Sequence, residues 1–169
     1  MTLPRQKIYK FDIFLLIKSI LNFDFFFHSD LIQEKLEKII ARFVKVKFCT
    51  LVPRGRVGLK FILNFIKGKN SLKNEVLMSP FTIFDVVNMV ISENLKPEFF
   101  DISKHDFSIN LNNLKKRINK NTLALILTHY HIEPLEYDKI VNYCKIKDIF
   151  LIEDRAIAFR KSQKKEKLN

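Results

Sequence analysis

The chain has 169 residues, of which 47% are hydrophobic and 28% charged, so it is long and apolar enough to bury one core, and intrinsic disorder is excluded. Its formal net charge of +12 raises nucleic acid or an anionic surface as partners, but the charge is spread along the chain. No RNA-recognition signature, zinc-finger spacing or aromatic-basic platform accompanies it, so a lysine-rich solvated surface is the simpler reading and no specific nucleic acid is expected.

Residues 11–27, FDIFLLIKSILNFDFFF, are strongly apolar, but Asp12, Lys18 and Asp24 interrupt them. The stretch therefore falls short of the roughly 20 unbroken apolar residues of a transmembrane span, and no small-residue cleavage site follows. It reads as a helix lying on a protein surface, with a membrane-surface helix as the alternative. LIQEKLEKIIARF, 31–43, places Leu31, Leu36, Ile39, Ile40 and Phe43 on one helical face, with Asp30 as N-cap. VKFCTLV, 46–52, predicts a short strand, and Pro53-Arg54-Gly55-Arg56 a turn. VGLKFILNFIK, 57–67, has Val57, Phe61, Phe65 and Ile62, Ile66 at helical spacing, with Gly68 as its stop.

EVLMS, 75–79, predicts a strand punctuated by Pro80. Residues 82–94 predict a helix with Val86, Val87, Val90 and Ile91 inward, and PEFFDI, 97–102, a short strand. LNNLKKRIN, 111–119, predicts a helix with Leu111, Leu114 and Ile118 on one side. TLALILTHY, 122–130, is a continuous apolar run and so a strand buried on both faces. Residues 135–147 predict an amphipathic helix with Tyr137, Ile140, Val141 and Cys144 inward, and IFLIED, 149–154, a second buried strand. Strands alternating with three-turn helices predict an α/β fold with a mainly parallel sheet.

In such sheets ligands sit beyond the carboxyl ends of the strands. That edge would hold Gly55-Arg56, Ser79-Pro80-Phe81-Thr82, His129-Tyr130-His131 and Glu153-Asp154. Asp154 ends a buried strand and needs a partner, because an unpaired buried charge is costly. A salt bridge to a neighbour such as Arg155, or a helix cap, would satisfy it; so would a cationic ligand atom, a pyridinium nitrogen being one. The loop RGRVG, 54–58, leads into a helix N-terminus, where free N–H groups and the helix dipole favour a phosphate. A plain strand–helix turn is the more common explanation of such a loop, since neither GxGxxG nor GxxxxGK[ST] is present. His129 and His131 share a strand face but lack further ligands at metal spacing, so each reads as a satisfied structural histidine and no metal is expected. Cys49 and Cys144 lie far apart without a CxxC partner, which fits free thiols in a reducing cytoplasm.

The order of these pieces, from about residue 31 to 159, resembles the N-terminal part of the DegT/StrS-type sugar aminotransferases of the fold-type-I pyridoxal-phosphate class. The landmarks are the Phe-Thr after the strand EVLMS, the Pro then Asp of KPEFFDI, the His and Pro of THYHIEP, and the Glu-Asp of LIEDRA. The resemblance implies a partial three-layer sandwich, an incomplete large domain over 31–159, an apolar segment over 1–30 that matches poorly, and a basic tail over 160–169. It implies pyridoxal 5'-phosphate as cofactor: Gly55 and Arg56 on its phosphate, Phe84 toward the ring, and Asp154 on the pyridinium nitrogen. It implies transfer of an amino group from glutamate to a keto-sugar nucleotide in the cytoplasm, for amino-sugar and surface polysaccharide synthesis, by a homodimer or with a complementing C-terminal chain.

Departures from the family pattern are local. Ile83 stands where the family often has an aromatic, with Phe84 one position later; Arg56-Val57-Gly58 replaces small residues; His131-Ile132 replaces the usual glycine; and Arg155 and Ile157 stand where small residues and a His or Gln follow the matched Asp. The lysine that these enzymes use to hold the cofactor covalently would fall past Asn169, so by resemblance no catalytic lysine is nominated and no independent amino transfer is expected.

Overall fold

The computed structural model describes residues 29–103, 109–129 and 136–156. The described residues fall into two compact units, divided between Leu51 and Val52. The predicted helix at 11–27, His131, Pro134 and the basic tail lie outside the described residues.

In the first unit, helix α1 spans Ser29–Val44, so Asp30 sits within its first turn rather than at the N-cap position. Asp30 at the start and Arg42 in the last turn both suit the helix dipole. Lys38 pairs with Glu34 at 2.6 Å and Gln33 donates to Glu37 at 2.9 Å, each four residues apart. The predicted apolar face is there but open: Leu31, Leu36, Ile39 and Phe43 are exposed and only Ile40 is half-buried. The strand predicted at 46–52 does not form. Its Leu51 N–H is taken by the Glu37 carboxylate at 2.8 Å instead of by a neighbouring strand.

In the second unit, helix α2 spans Gly55–Lys69, strand β1 Glu75–Met78, helix α3 Phe84–Ser92 and strand β2 Lys96–Phe99. Helix α4 spans Leu111–Arg117, strand β3 Thr122–Thr128, helix α5 Tyr137–Ile146 and strand β4 Phe150–Asp154. The four strands pair in the order β2-β1-β3-β4, all parallel. The expected α/β architecture is therefore present, and the rows Leu77–Leu125–Leu151 and Met78–Ile126–Ile152 run across three strands in register. Because side chains alternate along a strand, these two rows serve opposite faces. Leu77, Leu125 and Leu127 meet Leu111 and Leu114 of α4 and Tyr137, Ile140 and Cys144 of α5. Val76, Met78, Ala124 and Ile126 meet Leu63 and Ile66 of α2 and Val86 and Val90 of α3. The result is a helix–sheet–helix sandwich with β3 buried along nearly its whole length, as its unbroken apolar run requires.

Several details differ from the sequence reading; Ile91 of α3, expected inward, is exposed. Helix α2 turns Leu63 and Ile66 to the sheet, leaving Phe61, Ile62 and Phe65 exposed. It also continues through Gly68 to Lys69, and the Asn70 N–H closes it on the Ile66 carbonyl at 3.2 Å. Strand β2 begins one residue early, at Lys96, and stops at Phe99; Ile102 makes only an isolated antiparallel bridge with Ile109. Pro97 is tolerated in β2 because that strand lies at the edge of the sheet.

With glycine scarce, other residues take the left-handed positions that end helices. Lys45, Asn94 and Asp148 have φ of 56°, 54° and 52°. Each closes its helix with paired return bonds, as in Leu95 N–H to the Val90 carbonyl at 3.1 Å and Asn94 N–H to Ile91 at 2.9 Å. At the second and third of these ends the residue after the turn packs back on the helix: Leu95 and Val90 share one core, Ile149 and Cys144 the other. A side chain in this conformation costs about 1 kcal/mol relative to glycine, less for Asn. Asn94→Gly is accordingly expected to raise the melting temperature slightly and Asn94→Val to lower it by several degrees in thermal denaturation. The same sign for both would show that this backbone shape is not what the turn demands.

Candidate functional site

In a parallel sheet all carboxyl strand ends lie at one edge. Helix α2 runs back along the sheet into β1, so its N-terminus reaches that edge, and α3 starts there directly after β1. The two helix starts are tied together, with Arg56 Nη1 donating to Asp85 Oδ2 at 3.2 Å. Both partners are nearly half exposed, so this pair adds little stability.

The first turn of α2 is open. Arg54, the N-cap, has extended backbone and makes no side-chain cap, and the turn holds no acidic residue. The N–H groups of Val57 and Gly58 both return to the Arg54 carbonyl, at 3.0 and 3.3 Å. The N–H groups of Gly55 and Arg56 have no partner among the described residues. A Cβ added at Gly55 would meet nothing within 4 Å, whereas one at Gly58 would press on Val52 Cγ2 at 3.2 Å. Packing therefore restricts Gly58, while the space in front of Gly55 is clear for an anion. At the start of α3, Phe81, Ile83 and Phe84 are all exposed, Phe84 at 75%.

Asp154 is the last residue of β4, opposite Thr128 of β3. Phe150 and Ile152 of the same strand pack on the α2/α3 face, so by alternation Asp154 belongs to that face, the side of Gly55 and Phe84. Its carbonyl accepts the His129 N–H at 2.9 Å, and its Oδ1 accepts the Ala156 N–H at 3.1 Å. The salt bridge to Arg155 suggested by sequence is not made. Arg155 instead donates to Glu153, from Nε at 2.9 Å and Nη2 at 2.6 Å. Among the described residues Asp154 has no ion pair, and its second oxygen remains available for a cation.

Glu153, on the opposite face, was missed as a site of its own. It accepts the Tyr137 hydroxyl at 2.7 Å in addition to Arg155, and His129 Nε2 lies 3.0 Å from its Oε2. The His129 ring is 2% exposed and its centroid lies 6.0 Å from that of Tyr137. Its Nε2 is not aligned for a hydrogen bond, so the expected satisfied histidine is buried but unsatisfied at that atom. Burial pushes the Glu153 carboxyl up, but the His129, Tyr137 and Arg155 contacts outweigh it and hold it at about 2. A carboxyl held below its unfolded value contributes stability above the unfolded pKa, and that contribution is lost as pH falls toward the folded one. Glu153 is thus expected to add about 1–2 kcal/mol, allowing for its partial exposure, that disappears between about pH 4.5 and 2. Thermal melts across that window should show the loss for the natural protein and a smaller one for Glu153→Gln; parallel curves would exclude it. Cys144, by contrast, has its thiol raised to about 11 by burial, which makes it an inert core group.

Among the described residues there is no group of side chains fit to hold a metal ion, and no helix is long and apolar enough to cross a membrane. Residues 11–168 match the DegT/DnrJ/EryC1/StrS aminotransferase family. An uncharacterized protein of Methanocaldococcus jannaschii is 30% identical over 79% of this chain and 34% of its own length. The GDP-perosamine synthase of Vibrio cholerae is 27% identical over 74% of this chain and 34% of its own. A solved GDP-4-keto-6-deoxymannose-3-dehydratase with a trapped PLP-glutamate geminal diamine superposes with a TM-score of 0.63 at 22% identity, over 72% of this chain and 32% of its own. At that identity the likeness concerns the fold. The chain spans about a third of the length of the curated relatives it matches.

Proposed function

The chain belongs to the DegT/DnrJ/EryC1/StrS aminotransferase family, and from that premise we propose that it forms the cofactor-holding part of a pyridoxal-phosphate sugar aminotransferase. The observation that carries this reading is the placement of Asp154. Among the described residues it is paired with no cation, and it lies on the same face and edge as the open first turn of α2. The residues present fit the group. The Gly55 and Arg56 amides would receive the phosphate, with clear space before them and the positive helix end behind. Asp154 would hold the proton of the ring nitrogen, and exposed Phe84 would offer its ring to the cofactor. Bound pyridoxal phosphate supplies an electron sink, and a carboxylate at its ring nitrogen is what keeps that sink strong.

In this reading the substrate is a keto-sugar nucleotide, in line with the named activities of the relatives, and a homodimer mate or a complementing chain completes the enzyme. Arg56 keeps its guanidinium on Asp85, so its part in phosphate binding is that of its backbone amide. Titration of the protein with pyridoxal phosphate, followed by absorbance, tests the proposal. Saturable binding that inorganic phosphate displaces is the expected result. No binding up to about 1 mM, weaker than roughly −4 kcal/mol, would remove it.

A further inference from the structure

Among the described residues β4 is an edge strand with a single neighbour, β3, and its Phe150, Leu151 and Ile152 are only half-buried. The strand ends at Asp154, opposite Thr128, and the His129 N–H to the Asp154 carbonyl extends the pairing one residue past β3. The residues on either side of Asp154 are also fastened. Glu153 and Arg155 are joined to each other through both Nε and Nη2, and Glu153 is joined to Tyr137 at the first turn of α5. The His129 ring closes the group at 3.0 Å from Glu153, while its own main chain bonds Asp154. Consecutive strand residues face opposite ways. With the residues at 153 and 155 clamped toward α5, the one between them is turned toward α2 and α3. A slip of one residue would exchange the faces of Glu153 and Asp154.

We propose that Glu153 is a positioning residue: by gripping Arg155 and Tyr137 on the α5 face, beside the His129 ring, it aims the Asp154 carboxylate at the ligand side of the sheet edge. The proposal rests on the cofactor reading for its functional meaning but has a readout independent of it. Glu153→Gln retains the size and loses the charge; Tyr137→Phe loses one hydroxyl and leaves the rest of the core intact. Hydrogen exchange on the 169-residue protein is expected to show the His129 amide exchanging about tenfold faster in Glu153→Gln, with Leu125 to Leu127 unchanged. Tyr137→Phe should show a smaller change of the same kind. Pyridoxal phosphate labelled at its ring nitrogen should then, in Glu153→Gln, lose the nitrogen resonance of the protonated ring that the natural protein gives.

If the natural protein binds no pyridoxal phosphate, the cofactor reading falls, and the exchange result alone decides whether Glu153 holds the strand end. Unchanged exchange at His129 in both variants would overturn the proposal. Equal acceleration at Leu125 to Leu127 would overturn it too, because Glu153 would then be a general stabiliser. A ring nitrogen that stays protonated in Glu153→Gln would likewise overturn the aiming role.

Discussion

Asp154→Asn is expected to weaken pyridoxal phosphate binding about 100-fold while moving the melting temperature by no more than about 2 °C. The substitution keeps the shape and the Oδ1 bond to the Ala156 N–H, and removes only the charge. Removing one partner of a desolvated charge pair costs about 2–5 kcal/mol, and the half-buried position of Asp154 favours the lower end. Stability should barely change, because Asp154 makes no ion pair among the described residues. The two readings of this carboxylate, ligand partner and structural acid, thus separate cleanly. A large fall in melting temperature with unchanged affinity would make Asp154 a cap for the strand end and nothing more.

How legible this was depends on which physical signal each residue carries. The run from Thr122 to Thr128 has no polar interruption, so a doubly buried central strand was readable, and with it the parallel sheet and its ligand edge. The stretch 46–52 looked equally strand-like, but a strand needs a neighbour. Glu37, nine residues before Val46, supplies the partner that the Leu51 N–H takes instead. Arg155 next to Asp154 suggested a local salt bridge. Adjacent strand residues face opposite ways, and Arg155 pairs with Glu153, two positions back on its own face. That pattern of i and i+2 was present in the sequence and could have identified Glu153. The contribution of Tyr137 could not be read there, because it comes from sixteen residues away across a helix–strand contact.

Helix α2 shows the same limit, and the second large effect follows from it. Its sequence carries two apolar stripes, one through Leu59, Leu63 and Ile66 and one through Val57, Phe61, Ile62 and Phe65. Periodicity alone gives both the same claim on the core. The fold selects the leucine stripe: Leu63 is fully buried against the sheet, while Phe65 is 63% exposed, with Lys69 Nζ 5.3 Å from its ring centre. Leu63→Ala leaves a cavity between α2 and the sheet face of Val76, Met78 and Ile126, and is expected to cost about 3 kcal/mol. For a domain of this size that is a fall of about 6–12 °C in melting temperature. Phe65→Ala removes solvent-facing surface and a weak cation contact, and is expected to cost no more than about 0.5 kcal/mol. Thermal or urea denaturation of the two variants side by side decides which stripe faces inward. Comparable losses would mean that a covering surface reaches Phe65 in solution, and the outer face of α2 would then be an interior one.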